Sequence, residues 1–217
     1  MSDKNNYYTS SVYNEAIRSV RTNIQFSDID NKNRIFAITS SKPSEGKTTV
    51  IYDLAKSFAQ NGDKVALLDF DLRAPKVGKV SGIETNMGVT NVITGKVSLD
   101  KALIKDQYED NLFVLLSGPV PPNPTEILAS DHVKELVRLL NGQFDYVFID
   151  TPPVGLFTDA SIVSTLCDGV IFAIKSNDTK IDEVNHALDN LKKVNAKIIG
   201  AVLTFADVKE SSYKGYY

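Results

Sequence analysis

"RIFAITSSKPSEGKTTV", residues 34–50, is the stretch on which the reading of this chain turns. An apolar run, Ile35 to Ile38, enters a polar loop that ends in Gly46-Lys47-Thr48, and a helical pattern, "KTTVIYDLAKSFAQNG" (47–62), follows directly. Ser41 to Thr48 fits G-x-x-x-x-G-K-[ST], with Ser41 in place of the first glycine. In such a loop the backbone N–H groups converge on phosphate oxygens, and the start of the helix adds a favourable dipole. Gly46 lets the main chain approach closely, Lys47 reaches the β- and γ-phosphates, and Thr48 offers its hydroxyl to Mg²⁺. The loop, with Ser44, Glu45, Gly46, Lys47, Thr48 and Thr49 as its binding residues, is therefore read as a site for a nucleoside triphosphate.

Outward from the loop, short apolar runs alternate with helical patterns. The runs are 34–40, "KVALLDF" (64–70), "NLFVLLS" (111–117), "DYVFID" (145–150), "GVIFAIK" (169–175) and "KIIGAVLT" (197–204). Their near-continuous apolar character suits strands buried on both faces of a parallel sheet. "DEVNHALDNLKKV" (182–194) is a second amphipathic helix, and Gly62 stands as a helix stop. Strand–helix alternation predicts an α/β, doubly wound, mostly parallel sheet flanked by helices. Ligands of such sheets sit at the carboxyl ends of strands.

Carboxylates lie at those ends. "LLDFDLR" places Asp69 and Asp71 two residues apart, on one side of an extended chain and about 7 Å from each other. "YVFIDTPP" ends an apolar run in Asp150, the pattern of a residue that holds a Mg²⁺-bound water. Thr48, Asp150 and one of the pair Asp69 and Asp71 are the candidate metal residues. His132 and His186 sit in helical patterns with no partnering nucleophile, and no Cys/His cluster suggests zinc.

Composition narrows the class. The chain has 217 residues, 42% hydrophobic and 24% charged, enough to bury one full core. A formal charge of −3 lacks the basic field of a nucleic-acid binder. The lone Cys167 forms no internal disulfide and suits a reducing compartment. No apolar run reaches the ~18 residues of a membrane span. These features predict a cytoplasmic chain without direct membrane insertion. Residues 1–206 read as one domain and 207–217 as a flexible tail holding Tyr213, Tyr216 and Tyr217.

"YNEAIRSVRTNI" spaces Tyr13, Ile17, Val20 and Ile24 along one helical stripe, with Glu15, Arg18 and Arg21 fanned beside it. A solvated face with a Glu15–Arg18 pair is one reading. An interface in which arginines grip a neighbour's carboxylates is the other.

Taken in order, E-x-x-R-x-x-R, the Ser41–Thr48 loop, "LLDFDLR", "GPVPPNPTE" (118–126), "FIDTPP" and the tyrosine cluster resemble the bacterial tyrosine kinases of capsule and exopolysaccharide synthesis, in particular the separate cytoplasmic subunits of Gram-positive bacteria. The resemblance implies a P-loop NTPase-type fold that uses ATP and Mg²⁺ to phosphorylate tyrosine, with Lys47, Asp69 and Asp71 catalytic. Asp69 is the proton acceptor and Asp71 the metal residue by that resemblance, though the residues alone permit the swap. It further implies a ring, octameric in the family, assembled through Glu15, Arg18 and Arg21. In the ring the tail tyrosines of one subunit are phosphorylated by the next. A membrane adaptor of the polysaccharide co-polymerase type recruits the kinase to the inner face of the membrane, and a tyrosine phosphatase reverses the modification.

The last strand departs from that pattern: Thr204, in "AVLTFAD", stands where an adenine-reading Asn is expected. Separately, Lys42 has the spacing of a second loop lysine in the deviant Walker-A ATPases, or is a solvated loop residue. A positioning ATPase and a catalytically silent, nucleotide-gated scaffold are the rival functions.

Overall fold

The computed structural model describes residues 2–27 and 33–206. Seven strands form one sheet: β1 (Ile35–Ser40), β2 (Val65–Asp69), β3 (Ile104–Lys105), β4 (Leu112–Leu115), β5 (Tyr146–Asp150), β6 (Gly169–Lys175) and β7 (Ile198–Thr204). Their order is β3-β4-β2-β5-β1-β6-β7, parallel throughout except for the β3–β4 pair. The helices are α1 (Ser2–Ser27), α2 (Lys47–Gln60), α3 (Val77–Ser81), α4 (Val89–Ile93), α5 (Leu99–Ala102), α6 (Pro124–Leu128), α7 (Asp131–Asn141), α8 (Asp159–Ser164) and α9 (Ile181–Lys192). The doubly wound α/β architecture predicted from strand–helix alternation is the one observed.

Side-chain alternation along β1 explains the layering. Phe36 and Ile38 join a cluster with Val50, Ile51, Leu54 and Phe58 of α2 and Ile24 of α1. Ile35 and Ala37 point the other way, to a cluster with Val133, Leu136, Val137 and Leu140 of α7 and Val163 of α8. Val184, Ala187 and Leu191 of α9 cover Val170 and Phe172 of β6. Each such fully buried side chain contributes about 1.5–3 kcal/mol relative to exposure. Helices on both faces leave β1, β2 and β5 almost no solvent side, hence their continuous apolar runs, whereas the edge strand β7, expected to be buried on both faces, leaves Gly200, Ala201 and Leu203 exposed.

All six predicted strands are present within two residues of their expected ends, β4 falling shortest by stopping at Leu115. The seventh, β3, is a two-residue antiparallel edge, too short for any period to show. Helix α2 ends before Gly62, whose φ is +102°. Along α1, Ile17 and Ile24 are buried as expected and Val20 is partly so. Tyr13 instead remains half exposed, its hydroxyl donating to Asp53 of α2 at 2.6 Å. The tail tyrosines Tyr213, Tyr216 and Tyr217 lie outside the described residues.

Candidate active site

The loop between β1 and α2 turns through Ser44 (φ +65°) and Gly46 (φ +80°), left-handed positions of the kind found in anion-binding nests of backbone N–H groups. A Cβ at Gly46 would be strained by that φ and would press on Thr204 and Phe205 at 3.3–3.4 Å. Gly155, after β5, approaches even more tightly. A Cβ there would stand 2.2 Å from the Ser41 carbonyl oxygen, so only glycine lets the two loops touch.

Glu45 is fully buried and braces the loop from inside. Its carboxylate accepts from Lys42 N–H at 2.9 Å and from the Thr179 hydroxyl, while its carbonyl accepts from Thr204 Oγ1 at 2.8 Å. Ser44 and Thr49 are exposed. Lys42 is partly exposed and paired within its own chain: its Nζ lies 3.2 Å from Asp178 and 3.3 Å from Glu183 of α9.

Below the loop, charged side chains converge. Lys47, first residue of α2, donates to Asp71 Oδ2 at 3.1 Å and stands 3.6 Å from Asp150 Oδ1. Thr48 Oγ1 donates to Asp150 Oδ2 at 2.6 Å. Burial acts to lower the Lys47 pKa, but the charges of Asp150 and Asp71 outweigh it and hold it above the usual lysine value. Asp150 is raised by burial despite Lys47 and Thr48.

Asp69 and Asp71 are not an extended pair. Strand β2 ends at Asp69, and the chain turns so that Asp71 N–H donates back to Asp69 Oδ1 at 3.1 Å. Asp69 Oδ2 accepts from Lys76 and Val77 N–H at 3.1 and 3.0 Å. Asp71 Oδ1 accepts from Ala74 N–H at 3.0 Å. Asp69 and Asp150 are register partners across β2 and β5, so burial first, and the Asp150 charge second, push Asp69 up to about 8.

The arrangement fits Mg²⁺. Asp150 Oδ1 is buried with no hydrogen-bond partner among the described residues, an acceptor with only Lys47 Nζ near it at 3.6 Å. No group of three or more His, Cys, Asp or Glu forms a metal cage among the described residues. Two carboxylates and a hydroxyl suit an ion that keeps waters and phosphate oxygens as its other ligands.

Arg73, Thr125 and Asp159 form a neighbouring network that sequence reasoning missed. Arg73 grips the fully buried Asp159 through Nε at 2.7 Å and an NH2 at 3.1 Å, donates to Thr125 Oγ1 at 2.8 Å, and stacks on Phe157 at 4.3 Å. It ties the turn that carries Asp71 to "PNPTE" and to α8. Arg73 sits two residues past Asp71, the one signal available beforehand.

The residues expected to be peripheral are so. His132 and His186 are exposed on helices, and Cys167 is partly buried with Sγ donating to Val163 O at 3.2 Å. An open groove lined by Val92, Ile93 and His132 shares no residue with the phosphate loop. On α1, Arg18 pairs with Glu15 at 3.5 Å on the exposed face, whereas Arg21 turns inward and donates to Ser57 O at 2.6 Å.

Comparison with known proteins places this geometry. Residues 33–203 match the model of an AAA domain family. Tyrosine-protein kinase YwqD of Bacillus subtilis (strain 168) is 38% identical over 95% of this chain and 87% of its own length. The chain belongs to the bacterial tyrosine-protein kinases. Among solved structures, the chimerical protein CapA2B2 superposes with a TM-score of 0.82 and 34% identity, covering 86% of this chain and 82% of that one. The septum site-determining protein MinD of Pyrococcus horikoshii OT3, complexed with Mg-ADP, superposes less closely, with a TM-score of 0.65 and 27% identity over 78% of this chain and 69% of that one. Kinase and MinD share the P-loop NTPase fold.

Proposed function

We propose that this kinase uses Mg·ATP to phosphorylate tyrosine, and that its first substrate is the Tyr213, Tyr216, Tyr217 cluster of a neighbouring subunit. The observation that carries the reading is the buried set of Lys47, Thr48, Asp71 and Asp150 under the start of α2. Phosphoryl transfer asks the protein for position and charge neutralisation more than for covalent chemistry.

Lys47 supplies a desolvated positive charge to the β- and γ-phosphates, and the N–H groups of Ser44 to Thr49 hold the remaining oxygens. Thr48, Asp71 and Asp150 hold Mg²⁺, which when bound neutralises charge on the transferring phosphate. To engage, Lys47 leaves its pair with Asp71. Asp69 accepts the phenolic proton; a carboxyl raised toward neutrality is suited to that work, although it must release a backbone N–H to do so. Asp71 is the alternative acceptor.

Among the described residues no helix is long and apolar enough to cross a membrane. The family resemblance supports recruitment to the inner face of the membrane by an adaptor of the polysaccharide co-polymerase type, ring assembly through α1, and control of capsular or exopolysaccharide synthesis, reversed by a tyrosine phosphatase. The positioning-ATPase reading leaned on Lys42, and that residue is engaged by Asp178 and Glu183 of its own chain.

Incubating the purified chain with Mg·ATP separates the readings. Phosphotyrosine on the tail is the expected outcome. Phosphate release without phosphotyrosine supports the positioning ATPase, and neither product leaves a scaffold.

A further inference from the structure

Phe205 is the first residue after β7, and its position is unusual in three respects. Its φ is +52°, a conformation that costs a non-glycine residue energy and that clusters at ligand clamps. Its ring is 66% exposed, so the strain does not serve to bury it. Yet the ring edge reaches the phosphate loop, with Cε2 only 3.3 Å from where a Gly46 Cβ would stand. Lys175, at the end of β6, lies 5.5 Å from the ring centroid.

The site's polarity says what this ring is for. Lys47, Thr48, Asp71 and Asp150 gather on the β2–β5 side of the loop, which fixes the terminal phosphates and metal there. The nucleoside end of the same ligand then runs the opposite way, across the ends of β6 and β7. Thr204 is poorly placed to read a base: its hydroxyl lies 2.8 Å from Glu45 O and 3.2 Å from Ile174 O, and its one proton goes to these carbonyls.

We propose that Phe205 is the base platform of this kinase, that the purine stacks on its exposed face, and that recognition by stacking leaves adenine and guanine nearly equivalent. This rests on the reading of the loop as a nucleotide site. A π-face accepts any base, whereas a hydrogen-bonded pocket discriminates strongly.

Isothermal titration of the full chain with ADP, GDP and inorganic tripolyphosphate, each with Mg²⁺, tests it. Phe205→Ala is expected to weaken ADP and GDP about tenfold or more and alike, the scale of a lost base–aromatic stack, and to leave tripolyphosphate unchanged. The chain contains no tryptophan, so Phe205→Trp adds a single fluorophore that ADP should quench at wild-type affinity while tripolyphosphate does not. The proposal is overturned if Phe205→Ala binds ADP like wild type, or if it loses tripolyphosphate equally, which makes the ring a prop for the loop. A wild-type preference for ADP over GDP beyond about a hundredfold also sinks it. Failure of the wild type to bind either ADP or tripolyphosphate overturns the nucleotide reading itself.

Discussion

Lys47 Nζ, at the start of α2, lies 3.1 Å from Asp71 Oδ2. On the function proposed above, Lys47 serves the transferring phosphate and Asp71 its metal, so nucleotide binding would exchange one ion pair for another. Lys47→Met is expected to abolish tail phosphotyrosine in an immunoblot while preserving the circular dichroism spectrum. It should also lower stability by roughly 3 kcal/mol, because Asp71 and Asp150 lose a buried counter-charge. Part of that loss should return at low pH, where Asp150, raised by burial, is neutral. Near wild-type phosphorylation would refute the assignment.

Asp69 and Asp71 differ in what they accept, and Asn substitution separates them. Asp69 takes backbone N–H groups on both oxygens, and Asn can offer only one acceptor. Asp69→Asn should cost about 1–3 kcal/mol in urea denaturation by turning an amide against an N–H. Asp71→Asn also loses an acceptor, but its larger effect should be on Mg²⁺ titration. Both should slow phosphorylation by ~10²-fold or more. If both titrate Mg²⁺ like wild type, Asp71 is not a metal residue.

The strand–loop–helix order around Ser41–Thr48 was readable because it is local. Asp150 was readable as the residue ending an apolar run for the same reason. Asp69 and Asp71 were placed at the end of β2, but not their geometry, since the strand stops at Asp69, two residues short of the extended 69–71 segment that the i, i+2 rule needs. Arg73–Asp159 and Gly155–Ser41 were invisible because each joins residues separated by a long stretch of chain and brought together only by the β2-β5-β1 order. Thr204 was noticed as a departure, while its bond to the Glu45 carbonyl is purely tertiary.

Protonation of the acid cluster gives a pH signature. Asp69 is pushed up to about 8 from an ordinary 3.8, so between those values the folded chain holds more protons than the unfolded one. The cluster's contribution to stability is therefore present at low pH and fades as pH rises through that window. Mg²⁺ binding needs Asp150 ionised, and burial raises Asp150 above the ordinary carboxylate value, so the gain in Tm at fixed Mg·ADP should grow as pH rises. Scanning fluorimetry showing a pH-independent gain would remove this coupling.

The two arginines of α1 face different ways, and that difference can be read in solution. Arg18 is exposed and pairs only with Glu15 among the described residues, an interaction worth about 0.3 kcal/mol. Arg21 holds the Ser57 carbonyl of α2, yet its Nε is buried with no partner among the described residues. The exposed Arg18 is the arginine open to a carboxylate from another subunit. A head-to-tail interface either closes into a ring or runs on as a filament. Phosphates on Tyr213, Tyr216 and Tyr217 add nearly two negative charges each, and their mutual repulsion should drive the tail from the neighbouring site and loosen a ring. In analytical ultracentrifugation, unphosphorylated protein and the variant with all three tyrosines changed to Phe are expected to sediment as a large oligomer. Phosphorylated protein and Arg18→Ala/Arg21→Ala should sediment as monomers. The single variants divide the roles: Arg18→Ala should weaken assembly with Tm unchanged, whereas Arg21→Ala should also lower stability by about 1 kcal/mol through the lost Ser57 bond. Equal masses for all these forms would leave α1 a packing helix and the tail a substrate alone.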